Sequence, residues 1–381
     1  MDSLARYRRA LEGLLGVPAT EGNAVEVLRD GVEIFPSMLD AIEHAERTVD
    51  LLTFVYWQGE IAEHFAKALC QRAKAGVRCR VILDALGARH VQNDIVEAME
   101  DAGVQLHWFR PLLPGSGPGH RTHRKVLICD EQVAFTGGIG IADEWDGSSD
   151  DASGWRETQI RLQGPVVDGL RAAFADDWLD AEFMLFDEHD RFPDQPQHGA
   201  TTAMVVRSES EHGWSDGALL RHALLELAQE RVRITTAYLA PSQPMLDALC
   251  RAVSRGVQVQ ILHPGPQTDK EIARLAAENV YDDLLSGGVE LYEFQPTMLH
   301  AKVLTVDNLL AVVGSSNLNM RSLSHDEEVD VVLFDDEVTA TLDAHTDQDL
   351  QRCERVDESW NERSPARWAP QKLVGLIDHW T

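Results

Sequence analysis

The chain has 381 residues, 44% of them hydrophobic, and a formal net charge of −29. That length and apolar content supply two or three domain-sized cores. The acidity excludes a general nucleic-acid binder, whose affinity rests on neutralising phosphates with Lys and Arg, and it repels anionic surfaces at long range, so that any lipid contact must be local and partly apolar.

The segment from about Ser3 to Leu15 sets Leu4, Leu11, Leu14 and Leu15 on one face and Arg6, Arg8 and Arg9 elsewhere. It reads as a short basic amphipathic helix that either packs on the body or lies on a membrane surface. Alternation of strand and helix follows: helix Met38–Arg47, buried strand Val49–Trp57, a helix to about Lys74 ended by Gly76, strand Val77–Asp84, a helix near Asn93–Ala102 and strand Val104–Phe109. The stretch from Arg110 to Gly119 is a loop by its Pro and Gly content, and Leu112 and Leu113 are unusual apolar residues in it. It either folds back over the core or forms an apolar lip beside the site. His120 reads as a rim residue. Strand Gln132–Thr136, an acidic loop Asp146–Asp151, strand Thr158–Leu162 and a helix presenting Phe174 and Trp178 complete the first half. Residues 183–201, rich in Asp, His and Pro, read as a linker.

The second half repeats the order: helix Leu219–Gln229, strand Val232–Leu239, helix Pro244–Arg255 ended by Gly256, strand Val257–His263, mostly helix over Asp269–Leu285, and strand Val289–Phe294. Gly76-Val77 before one strand matches Gly256-Val257, and Gly103-Val104 matches Gly288-Val289, an internal duplication of roughly 170 to 180 residues per unit. Between Asp326 and Leu350 there is no Lys or Arg, and this acidic run reads as a solvated face. Val338–Arg352 reads as helical, and Trp368–Trp380 as an amphipathic helix that packs on the core or anchors at an interface. Five scattered cysteines (Cys70, Cys79, Cys129, Cys250 and Cys353) without a C-x2-C pair suit a reducing compartment and argue against a zinc cluster. No stretch has the make-up of a signal peptide or of a transmembrane helix, so a cytoplasmic chain is expected.

The chemistry concentrates in one pattern that occurs twice. His123, Lys125, Asp130, Gly137 and Gly138 follow the spacing H-x-K-x4-D-x6-G-[GS], and so do His300, Lys302, Asp307, Gly314 and Ser315, the latter with Asn317 just beyond. On a strand, positions two apart share a face, so each His projects with its Lys. The small residues let backbone approach a bound group. Two imidazoles, two ammonium groups, the Asn317 amide and backbone N–H donors make a pocket for a tetrahedral anion such as a phosphodiester. One His attacks phosphorus while the other protonates the leaving oxygen, and the lysines stabilise the equatorial oxygens. The scheme calls for no metal and no cofactor.

The duplicated motif resembles that of the phospholipase D superfamily. Flanking words are similar to those of bacterial cardiolipin synthases and their soluble relatives: Asp143-Glu144-Trp145, Trp155-Arg156-Glu157-Thr158, Arg321-Ser322 and Glu328. The resemblance covers about Val25 to Phe334. It implies an α/β fold of two tandem phospholipase D-like domains, each a mixed β-sheet flanked by helices, pseudo-twofold related and sharing one active site. The divisions expected are an N-terminal helix at 1–22, a first domain at 23–190, a linker at 191–202, and a second domain with a C-terminal helical extension at 203–381.

The implied activity is phosphatidyl transfer making cardiolipin from phosphatidylglycerol through a phosphohistidine. The alternatives are phospholipase D hydrolysis or head-group exchange on another phospholipid, and a phosphodiesterase or nuclease activity. The implied partners are a phospholipid and, peripherally, the inner face of the cell membrane, with no nucleic acid. By the same resemblance His123 is the nucleophile and His300 the acid, while the intact Asn317 on the second side favours the opposite assignment. Glu157 and Glu328, the acidic residue after each motif, each hydrogen-bond its catalytic histidine; Asp130 and Asp307 are structural, and Tyr238 either lies near the substrate or is a plain core or hairpin tyrosine. One departure stands out. Gly140 occupies the position matching Asn317, where the family has Asn, so the first half lacks one amide donor.

Overall fold

The computed structural model describes residues 3–111, 119–181, 193–208, 215–357 and 360. The strand–helix alternation of each half builds seven strands of one mixed sheet, and an eighth strand follows the second half. From one edge the first half contributes Gln105–Phe109, Arg78–Asp84, Thr48–Thr53, Val126–Cys129, Val133–Gly137, Thr158–Gln163 and Thr20–Arg29. The second half continues in mirrored order: Thr201–Ser208, Glu328–Phe334, Leu310–Gly314, Val303–Val306, Arg231–Thr235, Gln258–Pro264 and Glu290–Phe294, with Cys353–Val356 at the far edge. The halves are joined by the antiparallel pair Thr20–Arg29 and Thr201–Ser208.

Both motif strands are buried on two faces, which is why they are almost wholly apolar. Leu127 and Cys129 face the helices of the first half. Val126 and Ile128 point the other way, into a core shared with Val303, Ala311, Val313 and Val331 of the second half. This shared core brings the two motifs together.

Each motif aspartate closes the hairpin after its strand. Asp130 and Glu131 (φ 53° and 61°) and Asp307 and Asn308 (φ 52° and 57°) occupy the left-handed region. Gln132 N–H donates to Cys129 O and Leu309 N–H to Val306 O, both at 3.0 Å, which makes these type I′ turns. The carboxylates then bind the neighbouring chain. Asp130 accepts the backbone N–H groups of Glu46, Arg47 and Thr48 at 2.7 to 2.9 Å. Asp307 accepts those of Gln229, Glu230 and Arg231 at 2.8 to 2.9 Å.

Several expectations need correction. Thr20–Arg29 and Thr201–Ser208 are strands that the sequence pattern hid; the first begins inside the segment assigned to the N-terminal helix and the second inside the linker. Gly22 at φ 85° and a register shift between Thr20 and Asn23 break the alternation that would have marked the first. The helix expected at Met38–Arg47 spans Asp30–Glu43 and carries Pro36 inside it. The helix Ser3–Leu15 packs on the body of the second half: Tyr7 and Leu11 are buried, and the Tyr7 hydroxyl donates to Asp307 at 2.6 Å.

The acidic run from Asp326 is not a solvated face. Asp326, Asp330, Asp343 and Asp349 are buried and pair with Arg321, Arg221, Arg231 and Arg156, partners that are mostly distant in sequence. Leu112, Leu113, the helix expected at Trp368–Trp380 and residues 183–192 at the start of the linker stretch lie outside the described residues.

Candidate active site

The histidine and lysine of each motif lie on the extended segment just before the motif strand. Two short parallel bridges across the halves hold these segments, Thr122 with Glu327 and Leu299 with Arg156. His123 N–H donates to Glu327 O, and His300 N–H to Arg156 O, each at 2.8 Å. The residue after each bridging one is a glutamate, so each bridge delivers a carboxylate to the ring of the histidine it clamps.

The pairing is therefore crossed. His123 Nδ1 lies 3.0 and 3.1 Å from the two oxygens of Glu328, and His300 Nδ1 lies 2.7 Å from Glu157 Oε2. Each acid follows one motif in sequence and holds the histidine of the other. This corrects the simple reading of an acid serving its own motif, and it makes each dyad a product of both halves.

The dyads differ electrostatically. Burial opposes the charge on Glu328, but His123, Lys125 and the Ser315 hydroxyl outweigh it and hold the carboxyl down at about 2. Ser315 Oγ donates to Glu328 at 2.5 Å, so this serine is committed to the glutamate and not to a bound phosphate. The first half has Gly138 at the matching position, and Glu157 receives the Trp145 indole N–H at 3.2 Å instead. Burial pushes Glu157 up to about 7 against the pull of Lys302. Burial lowers His123 to about 4, and His300 well below its ordinary value with Lys302 adding to the effect. Lys125 and Lys302 are lowered to about 7 and about 8, again by burial.

Lys125 Nζ donates to His123 O at 2.7 Å, and Lys302 Nζ donates to His300 O and lies 2.8 Å from its Nδ1. Aromatic rings complete both walls: Phe54 stands edge-on to His123 at 5.1 Å, and Trp145 to His300 at 5.1 Å.

A cavity of about 310 Å³ opens beside His123 and Phe54. Phe54, Leu86 and Ala273 form its apolar part; His123, Tyr238, Lys270, Asn317, Asn319, Ser322 and the Arg321–Asp326 ion pair form its polar part. Asn317 is 1% exposed and lines the cavity; its Oδ1 has no hydrogen-bond partner among the described residues, and its amide N–H is the group that donates to an anion. His120 is exposed and does not line the cavity.

The glycines act differently from the expectation of close approach to a bound group. A Cβ on Gly137 would meet Gln159 and Thr158 O at 2.3 and 2.5 Å, one on Gly138 the Glu157 carboxylate at 2.6 Å, and one on Gly314 Asp330 and Val329 O at 2.3 Å. They make room for the neighbouring strand and its acid.

Gly140 is explained by its neighbours. A Cβ there would lie 2.8 Å from Val55 Cβ and 3.0 Å from Trp145. Those side chains fill the space into which an asparagine would reach. Sequence reasoning missed Phe54, Leu86, Lys270, Ala273 and Asn319. Only Asn319, two residues beyond Asn317, carried a local signal; the others reach the cavity through tertiary packing.

Fold and site together define a two-histidine, phospholipase D-type phosphodiester centre built from a duplicated α/β unit. Comparison with known proteins agrees. Residues 38–178 and 222–350 match the family described as "Cardiolipin synthase, PLD-like domain", and the chain belongs to that family. It is similar to cardiolipin synthase 1 of Bacillus cereus, 28% identical over 95% of this chain and 73% of the relative. It is also similar to the cardiolipin synthase of Geobacillus kaustophilus, 29% identical over 92% of this chain and 70% of the relative. In fold it resembles the phosphatidylserine synthase of Haemophilus influenzae, with TM-score 0.73, 13% identity and coverage of 98% and 96% of the two chains. No helix among the described residues is long and apolar enough to cross a membrane.

Proposed function

We propose that the protein is a phosphatidyltransferase that joins two phosphatidylglycerol molecules into cardiolipin and releases glycerol. The observation that carries this reading is the pair of histidines from two halves, each oriented by a glutamate of the other half, with His123 lining the cavity and Tyr238 of its wall standing against His300, in a chain of the cardiolipin synthase family.

In the first step His123 Nε2 attacks the donor phosphorus. The phosphorus–oxygen bond to glycerol breaks, and the His300–Glu157 dyad, which enters the step holding one proton to spare, delivers it through His300 Nε2 to the departing oxygen. Glu328 stays ionised, accepts from His123 Nδ1 and stabilises the positive ring that forms. Lys125, Lys302 and Asn317 stabilise charge on the non-bridging oxygens. In the second step the hydroxyl of another phosphatidylglycerol attacks the phosphohistidine, His300 takes its proton, and the phosphorus–nitrogen bond breaks to restore His123.

The firm anion at Glu328 suits a nucleophile that must bear positive charge. Glu157, near pH 7, suits a partner histidine whose protonation alternates. Contact with the membrane is peripheral in this reading, through the rim of the cavity.

The test is product analysis after incubation with phosphatidylglycerol vesicles, beside a His123→Asn control. Cardiolipin and glycerol, lost in the variant, are expected. Phosphatidic acid alone would make water the acceptor and the protein a hydrolase.

A further inference from the structure

Lys270 has no part in the phosphoryl chemistry just described, yet it lines the cavity. It is exposed, at the start of the helix Glu271–Ser286. The chain has six lysines, and two of the other five are the buried motif residues Lys125 and Lys302. The Lys270 ammonium lies 5.0 Å from the centre of the Tyr238 ring and forms no ion pair among the described residues. Tyr238 is fixed in turn: its hydroxyl donates to Asp269 at 2.6 Å, and its ring stands edge-on to His300 at 6.3 Å. The cation therefore belongs to the His300 side.

Among the described residues the first half has no counterpart to this arrangement. Leu239 pairs with Leu318 as Tyr56 pairs with Ile141, so Tyr238 corresponds to Val55. Around His123 the cavity offers Phe54 and Leu86 instead. The two sides are thus chemically unlike.

Resting on the transfer reading above, we propose that Lys270, seated on Tyr238, binds the phosphate of the acceptor lipid and so selects phosphatidylglycerol over water or a free alcohol. In an in-line displacement the leaving and entering oxygens occupy the same position in turn, opposite His123 and beside His300. Whatever is attached to that oxygen lies against the Tyr238 wall. In the first step the attached group is glycerol, which is uncharged. In the second it is a glycerol that carries a phosphodiester at its other end, and that anion meets the lysine. A local cation here also offsets the repulsion that a chain of net charge −29 exerts on an anionic lipid.

The test compares wild type, Lys270→Ala and Lys270→Arg on phosphatidylglycerol vesicles with labelled free glycerol. Two products are counted together: cardiolipin, and label exchanged into phosphatidylglycerol. The ratio of cardiolipin to exchanged label is expected to fall about tenfold or more in Lys270→Ala, the usual loss for a charge-assisted phosphate contact. Lys270→Arg restores most of it. An unchanged ratio in Lys270→Ala overturns the proposal, whatever happens to the total rate. Failure of the transfer reading shows separately, in a wild type that forms neither product, and the proposal falls with it.

Discussion

At the scale of single residues, the site works by giving two similar dyads unlike electrostatics. Ser315 and Gly138 occupy matching positions, and that difference decides which glutamate has a hydroxyl donor. Glu157, without one, is raised from 4.5 to about 7 by burial. Such a group favours folding while it holds its proton, and the benefit is lost as pH rises from its unfolded value through about 7. Glu157→Gln stays neutral throughout. Its stability relative to wild type is therefore expected to increase as pH rises across that window and to level off above it, while turnover falls about a hundredfold for want of the orienting carboxylate. Urea midpoints of both proteins at several pH values check this; a constant difference would contradict it.

At the scale of elements, the hairpin after each motif strand fixes the register that puts His and Lys at the site. Asp130 and Asp307 do equivalent work there, but Asp307 also accepts the Tyr7 hydroxyl from the N-terminal helix. Tyr7→Phe is expected to cost about 1 kcal/mol, one neutral-donor hydrogen bond. Asp307→Ala, which orphans several backbone N–H groups, is expected to cost about 2–3 kcal/mol. Equal costs in urea denaturation would show that the backbone contacts contribute little.

Gly140 belongs to the same scale, because its smallness answers to Val55 and Trp145 and not to substrate. Gly140→Asn, which restores the family's residue, is expected to destabilise by about 1–3 kcal/mol through overpacking and to bring no gain in turnover. A faster, equally stable variant would show that the amide is accommodated.

At the scale of the whole molecule, the site exists because a duplicated sheet packs against its own copy. Much of this was legible in the sequence. The repeated spacing of His, Lys and Asp is local, and strand periodicity placed His123 with Lys125 and His300 with Lys302. The crossed bridges were not legible, because the contact of Glu157 with His300 spans 143 residues and no local pattern records a partner at that separation. The same reason hid the burial of Asp330 and Asp349, whose arginines come from other elements. The strand Thr20–Arg29, which joins the halves, was obscured by its own bulge at Gly22.

The central claim is that the two halves make one centre in which His123 is the nucleophile and His300 the acid. The most direct test is to quench the protein with labelled phosphatidylglycerol during turnover, digest it at alkaline pH to preserve phosphohistidine, and map the label by mass spectrometry. The expected result is an adduct on the peptide containing His123, accumulating in His300→Asn and absent in His123→Asn. Label on His300, or on both histidines independently, would contradict the account.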